Sequence, residues 1–148
     1  MKLRLPLAIV ALGALLQVGA NAGGPGPGSA PPRVSFQRDV APILTTSCTT
    51  SSCHGGGSRP PVLVPHAGPA ALRAALVGVA AEQRPSRLYV RPGDPASSYL
   101  MQKLDGHLND VECTDHDCGE PMPQDNPPLS AEARDKVRTW ISQGALDN

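Results

Sequence analysis

Cys48-Thr49-Thr50-Ser51-Ser52-Cys53-His54 is the stretch with the most evident chemistry in this sequence. Two cysteines followed at once by a histidine form the residue set that attaches haem c. Each sulfur makes a thioether to one vinyl group of the macrocycle, and the adjacent imidazole reaches the iron from one face. Neutral imidazole is a good ligand for haem iron. The usual spacer between the cysteines is two residues; here it is four. Thr49, Thr50, Ser51 and Ser52 are small and polar, so the extra residues can loop out while both sulfurs stay on one edge of the ring. Taken alone, the motif leaves two readings open: haem attachment, or a disulfide between Cys48 and Cys53 with His54 a bystander.

An iron held by His54 has a sixth position to fill. Met122 is the candidate, in Glu120-Pro121-Met122-Pro123. A methionine between two prolines in a polar loop is poorly placed for core filling, and the prolines stiffen the backbone that aims its thioether. His/Met ligation favours the ferrous state and raises the potential. Met101 sits beside Leu100 and Leu104 in a helical pattern and is read as a packing residue.

A second cysteine pair, Cys113 and Cys118, also brackets four residues, Thr114-Asp115-His116-Asp117. Gly119 follows it rather than a histidine, which argues against a second haem. In an oxidising compartment a local disulfide is the default, and its small loop would brace the segment carrying Met122. The competing reading gathers all four cysteines into a zinc site. That reading leaves His54 and Met122 without a role. His107 and His116 are read as solvated loop histidines, and His66 is assigned no role.

These groups need elements to position them. The chain has 148 residues, enough for one ordinary domain. Residues 1–22 read as a signal peptide, with Lys2 and Arg4 at the start, an apolar run from Leu5 to Val18, and the small-x-small end Ala20-Asn21-Ala22. The apolar run is shorter than the roughly 20 residues that span a bilayer. The expected location is therefore the periplasm or the medium, without stable membrane insertion after the signal is removed. Residues 23–33 read as a flexible Gly/Pro-rich tether, and a single domain is expected over 34–148. Lys and Arg number 13, Asp and Glu 13; with Lys2 and Arg4 removed the formal charge is −2, which gives no footprint for nucleic acid.

The chain is poor in aromatics, with one Phe, one Trp and two Tyr, and rich in proline, with 17. Aromatic side chains supply much of a normal core, so cross-links or a cofactor are expected to compensate. Phe36, Val40, Ile43 and Leu44 fall at helical spacing before Cys48, with Pro42 tolerable near a helix start. Ala70 to Ala81 reads as helix, Arg87 to Arg91 as extended or irregular, and Ser97 to Leu104 as a second short helix. Residues 105–129 read as a long polar loop. Ser130 is a plausible N-cap for a last helix carrying Val137, Trp140 and Ile141 and ending at Gly144.

The order of these parts resembles the small cytochrome c domains of exported bacterial proteins, including those grouped as planctomycete-type cytochromes. The matching stretches are Phe36-Gln37-Arg38-Asp39-Val40-Ala41-Pro42-Ile43-Leu44, Cys53-His54-Gly55-Gly56, Arg91-Pro92-Gly93-Asp94-Pro95-Ala96-Ser97-Ser98-Tyr99-Leu100, Met122-Pro123, Pro128-Leu129-Ser130 and Trp140-Ile141-Ser142-Gln143-Gly144-Ala145. They cover most of residues 34–146. The resemblance implies an all-α fold, small and helical with long loops around one haem. It implies that Cys48 and Cys53 bind haem c, that His54 is the proximal and Met122 the distal iron ligand, and that the first and last helices pack beside the haem through Phe36/Ile43 and Val137/Trp140/Ile141. The expected function is one-electron transfer with transient redox partner proteins rather than enzymatic turnover. No acid–base set for an open-site haem enzyme is present, and Met122 would close such a site. The alternative is a non-redox, disulfide-stapled exported binding domain without haem.

Overall fold

Ser35 begins the ordered helical structure. Its hydroxyl accepts from the Arg38 N–H at 3.2 Å, while the Asp39 carboxylate accepts from the Ser35 N–H at 2.8 Å. This reciprocal cap starts a single π-helical turn, Phe36–Val40, that runs into helix α1, Ala41–Cys48. Pro42 lies in the first turn of α1, where its missing N–H leaves no helical bond unmade. The computed structural model describes residues 32–108 and 113–148. The expected signal peptide (1–22) and the expected tether (23–33) up to residue 31 fall outside the described residues. Contacts group Pro32–Asn148 into one unit.

Helix α2 is short, Pro69–Ala74. The sequence reading carried it to Ala81, and the structure corrects this. Val77 and Val79 are β-branched and favour extended backbone, and Gly78 between them takes a φ of 76°. The chain instead forms strand β1, Ala80–Ala81, turns at Glu82 and Gln83, and returns as β2, Arg84–Leu88. The two strands are antiparallel, with Ala80 opposite Leu88 and Ala81 opposite Arg84, and the register is irregular between Ala80 and Ala81. The Tyr89 hydroxyl accepts from the Glu82 N–H at 3.1 Å and ties the hairpin turn to the residue that follows β2. The all-α expectation is therefore wrong. Among the described residues the fold is mixed, with four short α-helices and a small two-stranded antiparallel sheet.

Helix α3, Tyr99–Asp105, ends on Gly106 in the left-handed conformation. Helix α4, Ala131–Ser142, is capped by the Ser130 hydroxyl, which accepts from the Ala133 N–H at 3.2 Å. Asp105 at the end of α3 accepts from Arg134 at 3.0 Å and from both terminal nitrogens of Arg138, binding α3 to α4.

The core is compact around few large groups. Trp140 and Phe36 are fully buried, with ring centroids 4.8 Å apart, and the Trp140 indole N–H donates to the Leu146 carbonyl at 2.9 Å. Truncating Trp140 to Ala would cost about 3–5 kcal/mol. The first and last elements do meet, but through the π-helical turn. Of Ile43 and Leu44, both expected on the core face, Leu44 is fully buried and Ile43 is only partly so.

Candidate functional site

Residues 48–56 form a tight turn after α1. The Thr50 carbonyl accepts from the N–H groups of Cys53 at 3.0 Å and Gly55 at 3.2 Å. The Thr49 hydroxyl donates back to the Thr45 carbonyl at 2.7 Å, carrying the helical path one step past Cys48. A Cβ on Gly55 would run into the Thr49 carbonyl oxygen, and one on Gly56 into that of Ser51. Both glycines are thus required by close backbone approach. The four-residue spacer folds over itself rather than extending.

His54 opens a 3-10 turn, His54–Gly56. Its carbonyl accepts from the N–H of buried Leu63 at 2.9 Å. The ring Nδ1 lies 3.1 Å from the Arg59 carbonyl oxygen. A carbonyl only accepts, so Nδ1 carries the proton, and Nε2 of the neutral ring keeps its lone pair. This is the arrangement that a metal-ligating histidine needs, one nitrogen anchored and the other available.

Cys48 and Cys53 are both free thiols, each half-buried. Burial pushes the Cys48 thiol up to about 11 from 9.0, with a smaller contribution from the neighbouring Cys53. Cys48 therefore stays protonated at neutral pH.

Met122 approaches the same place from the far end of the chain. Cys48, Cys53, His54 and Met122 line one cavity of about 530 Å³, together with Pro123 and Leu129. His54 and Met122 also line a larger adjoining cleft of about 640 Å³, whose wall includes Tyr89, Tyr99, Leu100 and Lys103. Both volumes are in the range of sites that bury a small organic ligand or cofactor. The Arg59 guanidinium donates to the Gln124 side-chain oxygen at 3.2 Å, so the two sides of the cavity touch beyond the site.

Cys113 and Cys118 are joined by a disulfide. Their bonded sulfurs are not available for a four-cysteine zinc site, and among the described residues no group of three or more His, Cys, Asp or Glu could hold a metal ion. The disulfide loop is tied to the hairpin, where the Thr114 N–H donates to the Gln83 carbonyl at 2.8 Å. It is tied to α3 as well, where the Tyr99 hydroxyl donates to the Cys118 carbonyl at 2.9 Å. The Lys103 ammonium donates to the carbonyls of Cys118 and, at 3.0 Å, of Glu120. It lies 5.3 Å from the Tyr99 ring centroid. Lys103 is only 6% exposed. Burial pulls its pKa below the ordinary lysine value, and the charges of Asp117 and Glu120 partly oppose this.

The remaining histidines lie elsewhere. His66 and His116 are exposed in short turns, and exposed His107 lines a separate cavity beside Arg84 and Arg138. Met101 is buried. The sequence reading missed Lys103, Tyr99 and the Arg59 carbonyl. The four-residue spacing of Tyr99 and Lys103 on one helix did mark a shared face, but nothing in the sequence marked that face as turned toward the cysteine loop. Among the described residues no helix is long and apolar enough to cross a membrane. No protein-family model, no curated protein and no solved structure matches this chain, so its function must be argued from the cavity that residues 48–54 share with Met122.

Proposed function

We propose that this chain is an exported single-electron carrier with one haem c. Cys48 and Cys53 would hold the haem through thioethers, and His54 Nε2 and Met122 Sδ would supply ligands to its iron. The observation that carries this reading is the meeting of two thiols, a pre-oriented imidazole and a thioether on one cavity, from segments far apart in sequence. When bound, haem iron supplies a ferric/ferrous couple.

The chain's own residues set the conditions for that couple. The Arg59 carbonyl fixes the His54 tautomer and makes the imidazole a stronger donor. Apolar groups line part of both cavities, Leu100 and Tyr89 in the larger and Leu129 in the smaller. A neutral imidazole and a neutral thioether would add no charge to the iron they hold. Partners would be redox proteins that meet the exposed turn around Gly57 briefly, through a small interface. The leader at residues 1–22 supports export, where cytochrome c maturation and disulfide formation both take place.

The stapled, haem-free alternative requires a second short disulfide, Cys48 to Cys53, and these sulfurs are unbonded here whereas those of Cys113 and Cys118 are bonded. The deciding experiment is expression of the full chain with a cytochrome c maturation system. A red protein with a pyridine haemochrome spectrum and haem retained through denaturation is expected. Colourless protein with a bond between residues 48 and 53 would overturn the proposal.

A further inference from the structure

The segment carrying Met122 has few anchors of its own. Gly119 has a φ of 62°, and residues 121 and 123 are prolines without N–H groups. Among the described hydrogen bonds, those that hold Glu120 and Met122 are made with one residue of α3. The Lys103 side chain donates to the Cys118 and Glu120 carbonyls, and the Lys103 carbonyl accepts from the Met122 N–H at 2.9 Å. Positions 118, 120 and 122 are thus all held by Lys103, on either side of the left-handed turn at Gly119.

Resting on the haem reading above, we propose that Lys103 is the positioning residue for Met122, its buried ammonium and its carbonyl together fixing where the distal thioether points. Hydrogen bonds from an ionised donor are stronger and more directional than neutral ones. An ammonium at 6% exposure is costly to bury without acceptors, so the Cys118 and Glu120 carbonyls and Lys103 hold one another in place. Gly119 belongs to the same device. A Cβ there would stand 3.0 Å from the Lys103 ammonium and nearer still to the Gln83 amide nitrogen. The missing side chain is what lets α3 reach the loop backbone. Tyr99, one turn earlier on α3, supports the grip by donating to the Cys118 carbonyl.

The experiment compares the haem-loaded full chain with Lys103→Met, which keeps the apolar stem and removes the side-chain N–H donors, and with Met101→Ala, a core truncation on the same helix. Covalent haem is read by pyridine haemochrome, and Met122 ligation by the ferric Met–iron charge-transfer band. Loss of the band in Lys103→Met with haem still attached, and its retention in Met101→Ala, is the expected result. The reduction potential of Lys103→Met should fall with the band. A band retained in Lys103→Met would overturn the proposal while leaving the haem reading standing, and so would a band lost equally in Met101→Ala. Should Lys103→Met not accumulate, Gly119→Ala decides the matter, since it keeps the lysine but crowds its ammonium. A weakened band supports the grip, and an unchanged band overturns it. A wild-type chain that takes no covalent haem removes this proposal together with the haem reading, and is recognised by its lack of colour.

Discussion

The pairs Cys48/Cys53 and Cys113/Cys118 have the same spacing, yet the structure holds one open and closes the other. Cys48 ends a helix, and the Thr49 hydroxyl prolongs the helical path past it. The residues that follow are folded inward by the Thr50 carbonyl and by two glycines pressed against backbone. The 113–118 loop turns the opposite way, through Asp115 and His116 at φ of 53° and 61°, and brings the cysteine Cα atoms to 5.2 Å, within ordinary bridging distance. Spacing sets what a pair of cysteines can reach. The hand of the intervening backbone sets what it does reach. One loop turns its sulfurs toward a cavity shared with His54 and Met122, and the other uses its sulfurs to brace the segment that delivers Met122.

The sharpest way to break this division of labour is to remove each pair in turn. Cys48→Ser with Cys53→Ser should abolish covalent haem entirely, read as haem lost on acid extraction of the matured protein. Cys113→Ser with Cys118→Ser should leave haem covalently bound. If both variants lose haem alike, the two loops do not have separate roles.

The next effect is on reactivity. In folded, haem-free protein, the raised Cys48 pKa lowers its thiolate fraction roughly a hundredfold below pH 9. Alkylation of Cys48 by iodoacetamide at pH 8 should therefore be slower by about that factor than in denaturant, while Cys113 and Cys118 stay unreactive until reduced. Equal Cys48 rates in the two conditions would contradict the burial argument. The same shift has a sign for stability. A thiol whose pKa rises on folding contributes stabilisation that is fully present below pH 9 and is lost as pH climbs toward 11.

Stability comes third. Opening the 113–118 bridge should cost about 2 kcal/mol, the entropic value for a short loop, and should lower Tm in a thermal melt followed by circular dichroism. A cost near zero would mean that the Gln83, Tyr99 and Lys103 contacts hold the loop without its bridge. The smallest effect tests the hand of the turn itself. His116→Gly should stabilise by a few tenths to ~1 kcal/mol, because a left-handed position suits glycine better than a residue with a Cβ. Gly57→Ala, at a φ of 80° in open space, should destabilise by about 1 kcal/mol. Chemical denaturation midpoints measure both, and matching signs would refute the backbone account.

Much of the scaffold was legible in the sequence because local signals carried it. Ser130 before a 3.6-periodic run is an N-cap, and the structure makes it one. Pro42 marked the start of α1, and Phe36, Trp140 and Ile141 marked core positions. The failures were of two kinds. Ala70–Ala81 looked helical because alanine and leucine outweighed a Val-Gly-Val break that turns the chain into a hairpin. Of the two α1 residues placed on the core face, Leu44 is fully buried there while Ile43 stays partly exposed. At the site, Cys48, Cys53, His54 and Met122 were identifiable by residue type and order. Lys103 was not, since a lysine on a short helix reads as a solvated charge until its neighbours are known.

The sequence by itself determined which groups can do chemistry here: two thiols and an imidazole within seven residues, a thioether between prolines, and a second cysteine pair. These follow from covalent identity and from local backbone preference, which act over a few residues. Only the tertiary structure decided that residues 48–54 and Met122 share a cavity, that one pair is bonded and the other free, and that Lys103 is buried against the distal loop. Those outcomes depend on how the π-helical turn, the hairpin and α3 pack together, a balance of burial and hydrogen bonding summed over contacts that no short window of sequence contains.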